Sequence, residues 1–286
     1  MRYCQFNFRV VPQFAQFVEG QVQGASSQKG INGYTFGMKI AIAATVEDMG
    51  RQAADEGAEV LCKAIESKGA ANLILATGAS QFTVLDALLK VARIAWNKVT
   101  IFHLDEYLGL PPTHSASFRK YLRDRFVSKL SMPPAAVQWI DGQSQPEVEC
   151  HRLSLLIMKH PIDLAFIGIG ENGHLAFNDP PADFITRNPY IVVQLDEACR
   201  KQQLGEGWFP TFEDIPQQAI SMSINQIMKS QHIICSVPDE RKAIAVKNAV
   251  EGPVTNVVPA SILKNHPSTT LFLDVQSAKL LSKSNH

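Results

Sequence analysis

Residues 73–80, Leu73-Ile74-Leu75-Ala76-Thr77-Gly78-Ala79-Ser80, join a short apolar run to a polar turn that contains a glycine. A continuous apolar run of this length is typical of a strand buried on both faces of a parallel sheet. Phe82, Leu85 and Leu88 follow at helical spacing. The stretch therefore predicts a buried strand, a tight turn and a helix, which together are the repeating unit of an α/β fold.

The same alternation of strands and helices continues from Met38 towards the end of the chain. Thr45 and Asp48 have the spacing of a helix-capping pair, and Gly69 is a stop signal for the helix that they begin. Further strands are predicted at 99–104, 137–140, 162–168, 190–195, 232–237 and 269–274, and helices at 115–130, 146–159, 239–251 and 275–282. Because such alternation builds βαβ units, we expect an α/β three-layer sandwich with one mainly parallel, Rossmann-like doubly wound sheet.

The domain organisation predicted from the sequence is a single domain over residues 38–286. Residues 1–37 differ from it, with phenylalanines scattered among polar residues and no continuous apolar segment of the kind found in a secretory signal. We interpret them as an N-terminal extension whose role the sequence does not define and which takes no part in catalysis.

Composition excludes several classes of protein. The 286-residue chain is neutral, with 27 Lys and Arg against 27 Asp and Glu, whereas nucleic-acid and anionic-membrane binders need an excess of basic residues. No apolar run approaches the roughly 18 residues that a membrane span requires. The five cysteines are widely spaced, which indicates reduced thiols in a cytoplasmic protein rather than a disulfide framework or a metal cluster.

The first candidate site lies at the end of the strand that opens this section. A turn that contains glycine and begins a helix presents backbone N–H groups and hydroxyls to an anion, so Thr77, Gly78, Ala79 and Ser80 could bind a phosphate. The alternative is an ordinary serine cap. Arg200 and Lys242 are basic candidates for the same phosphate, against the alternative of solvated charges on helices.

A second polar cluster, His103-Leu104-Asp105-Glu106-Tyr107, follows the predicted strand at 99–104. A carboxylate at a partly desolvated strand end can act as a general base, because burial and neighbouring charges set its pKa. Asp105 and Glu106 are therefore both catalytic candidates. The alternative is a pair of surface acids in a loop.

The third cluster is Gly168-Ile169-Gly170-Glu171-Asn172-Gly173-His174, after the predicted strand at 162–168. Its glycines match a dinucleotide-binding pattern, and Asp196 lies where a ribose-binding acid would be expected. That pattern requires a helix at the loop, but Pro180 and Pro181 follow too closely for one. A loop that delivers His174 to the sheet edge as a proton-transfer group fits better.

Taken together, these clusters resemble the glucosamine-6-phosphate deaminase/isomerase family, which is related in fold to the 6-phosphogluconolactonases. The resemblance covers roughly residues 38–283. It rests on Ala-Thr-Gly-Ala-Ser (76–80), Leu-Asp-Glu-Tyr-Leu-Gly-Leu (104–110), His-Ser-Ala-Ser-Phe-Arg (114–119), Gly-Ile-Gly-Glu-Asn-Gly-His-Leu-Ala-Phe-Asn-Asp-Pro (168–180), Arg200 and Lys242-Ala243, in that order.

The resemblance implies the conversion of glucosamine 6-phosphate, or a close analogue, to fructose 6-phosphate and ammonia. His174 would assist ring opening, and Asp105 would transfer a proton from C2 to C1. The Thr77–Ser80 loop, Arg200 and Lys242 would hold the phosphate. It implies no metal and no organic cofactor. The expected partner is a small-molecule sugar phosphate, and whether the chain forms a homo-oligomer stays open.

Two positions depart from the family pattern, in which an aspartate and a glutamate flank the histidine. Here these positions are Asn172 and Asp179. An asparagine can accept a hydrogen bond from the imidazole N–H, but it cannot stabilise an imidazolium by charge. Restoring both acids, Asn172→Asp with Asp179→Glu, is therefore expected to raise turnover.

Two other functions fit the same fold. A 6-phosphogluconolactonase would be a hydrolase that uses a histidine to activate water, but that branch lacks the Leu-Asp-Glu-Tyr sequence present at 104–107. A non-catalytic sugar-phosphate sensor is the third reading, favoured chiefly by Asn172. Ammonium release from glucosamine 6-phosphate distinguishes the three.

Overall fold

A central parallel sheet organises residues 38–282, the part of the chain that the computed structural model describes. Its seven strands lie in the order β1-β10-β9-β6-β2-β3-β5, and every paired neighbour runs parallel. The strands are β1 (Lys39–Ala43), β2 (Ala71–Leu75), β3 (Val99–His103), β5 (Ala136–Gln138), β6 (Leu164–Ile167), β9 (His232–Val237) and β10 (Thr269–Asp274). The extension predicted for residues 1–37 lies outside the described residues.

Seven α-helices occur within the described chain. They are α1 (Val46–Lys68), α2 (Phe82–Leu88), α3 (Phe118–Arg125), α4 (Pro146–Ile157), α5 (Glu197–Gly205), α6 (Ile224–Ile227) and α7 (Ala243–Glu251). No helix in residues 38–282 is both long enough and apolar enough to cross a lipid bilayer.

The ends of α1 form as the sequence predicts. The Thr45 side chain accepts a hydrogen bond from the Asp48 backbone N–H at 3.1 Å, and this satisfies one of the free donors of the first turn. At the other end Gly69 adopts φ +79° and donates its N–H to the Ile65 carbonyl. A residue with a Cβ atom would be strained in that conformation.

Both faces of the sheet are buried, and this explains the continuous apolar runs. In β2, Leu73 and Leu75 pack into the core formed with α1, α2 and α3, whereas Ile74 packs into the opposite core with α4 and α7. Successive side chains of a strand point to opposite faces, so a strand that is covered on both sides is apolar at most of its positions. The predicted α/β three-layer, doubly wound architecture is confirmed.

A second sheet was not predicted. Strands β4 (Asp105–Tyr107), β8 (Gln218–Met222) and β7 (Tyr190–Gln194) pair antiparallel in the order β4-β8-β7. The expectation that 190–195 joins the parallel sheet is therefore wrong. The alternative of surface acids in a loop is wrong for residues 105–107, which are buried and pair with β8.

Two predicted helices need correction. The helix expected at 115–130 begins only after Ser117, whose side chain accepts the Lys120 N–H, and it is α3 followed by a single 3₁₀ turn. Residues 275–282 form turns instead of a helix. There the Ser277 N–H donates to the Asp274 carboxylate, and such local side-chain bonds compete with helix formation.

We predict that Gly57→Ala destabilises the protein. A Cβ atom at Gly57 would lie 2.2 Å from Cζ of Phe166, a buried ring of β6, so α1 or the ring must shift. Overpacking of this kind costs about 1–3 kcal/mol, which exceeds the gain in helix propensity. Urea denaturation followed by circular dichroism measures the change. The matched control is Gly205→Ala, where the added Cβ meets open space, and an equal loss there would contradict the explanation.

Candidate active site

The three clusters predicted from the sequence meet in one cleft at the carboxyl ends of the parallel strands. The cleft measures about 260 Å³. Its lining includes the Thr77–Ser80 loop after β2, Asp105 after β3, Gly168–Gly170 and His174 after β6, and Asp239, Arg241 and Lys242 after β9. Ligands of open parallel sheets bind at this edge, because the loops that follow adjacent strands converge there.

The Thr77–Ser80 loop is fixed from beneath by a buried glutamine. Gln81 donates from its side-chain amide to the carbonyls of Ile167 and Ser236, at the ends of β6 and β9. Gly78 adopts φ +114°, and Gly168 approaches so closely that a Cβ atom there would lie 2.9 Å from the Ser80 hydroxyl oxygen. The loop is thus a rigid polar wall of the cleft, as a phosphate-binding loop must be.

A buried lysine lines the cleft opposite that loop. Lys242 is only 6% exposed, and burial lowers the pKa of its ammonium although Glu206 and Glu171 oppose the shift. Lys242 lies three residues after Asp239, whose backbone φ is +85°, a strained value for a residue with a side chain. The Asp239 carboxylate accepts the Arg241 N–H and binds the Arg241 guanidinium. The strained turn therefore presents two cations, Arg241 and Lys242, to the cleft.

Arg200, the other predicted phosphate ligand, is not among the lining residues. Its guanidinium stacks on Phe212 at 4.1 Å and donates to the carbonyls of Phe212 and Ile215. The sequence places Arg200 on a helix but not the segment that packs over it, and this segment decides where the side chain points. Arg241 is the basic lining residue that the sequence analysis missed, and its position next to Lys242 was the available signal.

Asp105 lies at the bottom of the cleft and is 7% exposed. Burial, together with the neighbouring Glu106 carboxylate, raises the pKa of Asp105 to about 8, and the Thr77 hydroxyl opposes this weakly from 3.4 Å. A carboxyl group held in this way is a much stronger base, once ionised, than one in water. Asp105 therefore has the position and the basicity of a proton-transfer group.

Glu106, also a catalytic candidate from the sequence, points away from the cleft. Adjacent side chains of β4 alternate, so the residue after Asp105 faces the opposite side. Its carboxylate accepts hydrogen bonds from the Ser117 hydroxyl and from the backbone N–H groups of Phe118 and Arg119. Burial raises the pKa of Glu106 against these bonds. Glu106 thus anchors the start of α3, and its carboxylate does not line the cleft.

His174 enters the cleft from the glycine-rich loop after β6, which forms turns and does not begin a helix. The dinucleotide interpretation is therefore not supported. The ring packs against Gly170, where a Cβ atom would lie 2.2 Å from Nε2. On the other side, Nδ1 lies 2.9 Å from Oδ1 of Asp179, but this oxygen is out of line with the ring N–H bond. Catalytic contacts are often poorly aligned before substrate binds.

Asn172 does not contact the imidazole as expected. Its Oδ1 accepts the backbone N–H of His174, and its Nδ2 faces two carboxylates, Asp179 at 3.0 Å and Asp196 at 3.4 Å. Burial raises the pKa of Asp179, but contacts with His174, Asn172 and the Asp196 N–H outweigh it, and the net pKa is below its ordinary value. We call His174, Asn172, Asp179 and Asp196 the His174 cluster.

The first turn of α5 places a thiol next to the His174 cluster. Cys199 is 1% exposed, and burial, reinforced by the nearby Asp179 and Asp196 carboxylates, raises its pKa well above the usual value. The donor atoms of Cys199, His174 and Asp179 lie within 4.8 Å of one another. The wide spacing of the cysteines gave no sign of this group, because Cys199 comes from a different segment of the chain from His174 and Asp179.

We predict that Asp105→Asn stabilises the protein at alkaline pH. The folded chain retains the Asp105 proton up to about pH 8, whereas the unfolded chain loses it near pH 4, so ionisation of Asp105 removes stability as pH rises between these values. The variant should exceed the parent in unfolding free energy by at least about 1 kcal/mol at pH 9. Chemical denaturation at pH 4 and pH 9 measures this. A difference that is the same at both pH values would contradict the raised pKa.

The geometry predicts that Asn172→Asp alone lowers the stability of the protein. Because Asp179 and Asp196 already face the Asn172 amide, a third carboxylate would be repelled by both and should cost about 1–3 kcal/mol of unfolding free energy at neutral pH. Asp196→Asn in the same chain returns the number of carboxylates to two and keeps a good helix cap, so it should recover most of the loss. A double-mutant cycle by denaturation measures the coupling, and simple additivity would contradict it.

Comparison with known proteins gives a consistent assignment. The sequence profile described as glucosamine-6-phosphate isomerases/6-phosphogluconolactonase matches residues 44–272. A glucosamine-6-phosphate deaminase of Lactobacillus delbrueckii is 34% identical over 247 residues, which are 85% of this chain and 100% of the relative. The glucosamine-6-phosphate deaminase of a Geobacillus strain is 36% identical over 249 residues, 85% of this chain and 96% of that one.

Solved structures share the architecture. A monomeric glucosamine-6-phosphate deaminase superposes with a TM-score of 0.79 at 30% identity and covers 85% of this chain and 100% of its own. A 6-phosphogluconolactonase from Thermotoga maritima superposes with a TM-score of 0.69 at 16% identity, over 83% of this chain and 99% of its own, which shows a common fold. With the profile match over most of its length, the chain belongs to the family of glucosamine-6-phosphate isomerases and 6-phosphogluconolactonases.

Proposed function

We propose that this chain is a glucosamine-6-phosphate deaminase that converts glucosamine 6-phosphate to fructose 6-phosphate and ammonia. The proposal is carried by Asp105, a buried carboxyl group that faces the cleft between the Thr77–Ser80 loop and His174. Relatives at 34% and 36% identity are named for this activity, whereas the lactonase from Thermotoga maritima is only 16% identical.

Substrate binding would begin with the phosphate. The Thr77–Ser80 loop and Lys242 line the same cleft, and an anion bound between them would compensate the buried ammonium. Phosphate binding energy can then hold the sugar carbons in reach of Asp105. Arg200 would have to exchange its contacts with Phe212 and Ile215 for a phosphate in order to take part.

Asp105 would perform the central proton transfer. As a carboxylate it removes the proton from C2 of the open-chain sugar, and as the acid it returns that proton to C1. The C2 amine is protonated at neutral pH, so its charge favours the carboxylate form and opposes the effect of burial. Removal of the C2 proton, with protonation of the C1 carbonyl oxygen, gives an enolamine, and return of the proton to C1 gives an iminium at C2. Water then adds to C2 as the C–N bond breaks, which yields the ketose and ammonia. These transfers need neither a metal nor an organic cofactor.

His174 would open the pyranose ring by moving a proton at the ring oxygen. A carboxylate beside an imidazole orients the ring and stabilises its cationic form, and Asp179 supplies this carboxylate at 2.9 Å from Nδ1. Asn172 holds the loop through the His174 backbone and places an amide against Asp179. In this scheme Asn172 and Asp179 support catalysis and His174 carries it.

The proposal also covers the part of the chain that performs catalysis and the compartment in which the protein acts. We place catalysis in residues 38–286 and give the first 37 residues no part in it. Cys62, Cys150, Cys199 and Cys235 are free thiols, which fits a protein of the cytoplasm.

Ammonium release from glucosamine 6-phosphate tests the proposed function directly. Asp105→Asn should lower kcat by about 10²–10⁴, because the base is lost. Glu106→Gln should lower kcat less than about tenfold while it lowers the unfolding free energy, because its carboxylate binds the start of α3. A coupled ammonium assay and denaturation measure the two effects.

Three results would contradict the proposal. Equal losses of kcat in the Asp105 and Glu106 variants would remove the base assignment. Hydrolysis of 6-phosphogluconolactone without ammonium release would favour the lactonase. Binding of glucosamine 6-phosphate without turnover would favour the sensor.

A further inference from the structure

Three side chains that commonly bind metals meet immediately behind the cleft. The donor atoms of His174, Asp179 and Cys199 all lie within 4.8 Å of one another. Within residues 38–282 no other trio of His, Cys, Asp or Glu satisfies this condition. Cys199 is 1% exposed and His174 is 8% exposed, so a cation bound here would be held by protein groups rather than by bulk water.

One of these donors lacks an aligned partner. Nδ1 of His174 is buried and makes no well-directed hydrogen bond, although Oδ1 of Asp179 is 2.9 Å away. Buried polar atoms in folded proteins are nearly always paired, and an exception calls for an explanation such as an ion. The poor alignment of Nδ1 is thus a second observation, beside the clustering, that points to a ligand between the three groups.

We propose that His174, Asp179 and Cys199 form a binding site for a thiophilic divalent cation of the Zn²⁺ type. Nitrogen, oxygen and sulfur donors together suit Zn²⁺, whereas Mg²⁺ and Ca²⁺ require oxygen donors. Ligand atoms around tetrahedral Zn²⁺ lie roughly 3.3–3.6 Å apart, so side-chain movements of about 1 Å would close the site. A water molecule from the cleft can supply the fourth ligand.

The charges balance when the cation binds. Coordination removes the Cys199 proton, which is released to solvent, and leaves a thiolate, a carboxylate and a neutral imidazole around a doubly positive ion. The complex is therefore neutral, which lowers the cost of burying it.

Occupation of this site would stop the relay, by which we mean proton transfer by His174 with the Asp179 carboxylate beside it. The cation would take Nδ1 of His174 and the Asp179 carboxylate, the two groups that the proton transfer at the ring oxygen depends on. Zn²⁺ is thus a reversible inhibitor in this scheme. Inhibition rests on the proposed function, whereas binding of the cation does not.

The test is a titration of the full-length, chelator-treated protein with Zn²⁺ by calorimetry and with Co²⁺ by absorption spectroscopy. We expect one ion per chain and a thiolate-to-cobalt charge-transfer band. Cys199→Ser and Asp179→Asn should each weaken Zn²⁺ binding by more than about tenfold, since loss even of a group that supports a metal ligand costs that much. Mg²⁺ should produce no binding signal.

The matched control is Cys4→Ser combined with Cys62→Ser, which removes two thiols outside the trio. It should retain both the stoichiometry and the charge-transfer band. If Cys199→Ser does not fold, X-ray absorption on the zinc-loaded control protein replaces it, with one sulfur and two or three nitrogen or oxygen neighbours expected. Unchanged binding in Cys199→Ser, no sulfur neighbour, or more than one would overturn the site.

The ammonium assay separates the two proposals. Zinc binding by a protein that never releases ammonium would leave the metal site standing without the proposed function. Ammonium release by a protein that binds no zinc would support the proposed function and overturn the metal site.

Discussion

Burial of the parallel sheet on both faces is the constraint from which the rest of the structure follows. Strands such as β2 send alternate side chains into two separate cores, so most of their side chains are needed for packing in one core or the other. Polar chemistry is thereby confined to the loops beyond the carboxyl ends of the strands. The Thr77–Ser80 loop, Asp105, His174 and Lys242 are far apart in the sequence, yet all line one cleft because their strands lie side by side.

Carboxylates are concentrated around this cleft, and the structure separates them by function. Asp105 and Glu106 are adjacent, but strand alternation sends one to the cleft and the other to backbone donors at the start of α3. Behind His174, the neutral amide of Asn172 lies between Asp179 and Asp196. Relative to the family pattern that the sequence resembles, position 172 carries an amide in place of a carboxylate. The amide allows two acids to lie near the histidine without placing three together.

Much of the fold was predictable from the sequence because it depends on local patterns. Apolar runs, the Thr45 cap and Gly69 each act over a few residues, and the structure forms them as expected. The antiparallel pairing of β4 with β8 was not predictable in this way, since Asp105 and Ser221 are brought together only by the folded chain. A three-residue strand with two acids carries no periodic signal of its own.

The candidate site also contains some residues whose position could be predicted from local sequence and others whose position could not. Asp105, His174 and the Thr77–Ser80 loop follow buried strands directly, so strand ends alone place them at the cleft. The contacts of Arg200, Glu106 and Asn172 could not be predicted because their partners lie in other segments: the carbonyls of Phe212 and Ile215 for Arg200, and Ser117 for Glu106. For Asn172 the decisive neighbour is Asp196, the cap of α5.

The position of α5 connects the relay to the proposed cation site. Asp196 caps this helix by accepting the Cys199 N–H, and its own N–H donates to Asp179. One turn of helix thus fixes both the carboxylate that serves His174 and the thiol beside it. A protonated thiol adds no charge to a region that already holds two carboxylates, whereas a thiolate would be a third anion. The thiol is therefore compatible with the relay only while it keeps its proton, and a divalent cation is the kind of ligand that would remove that proton and neutralise the resulting charge at the same time.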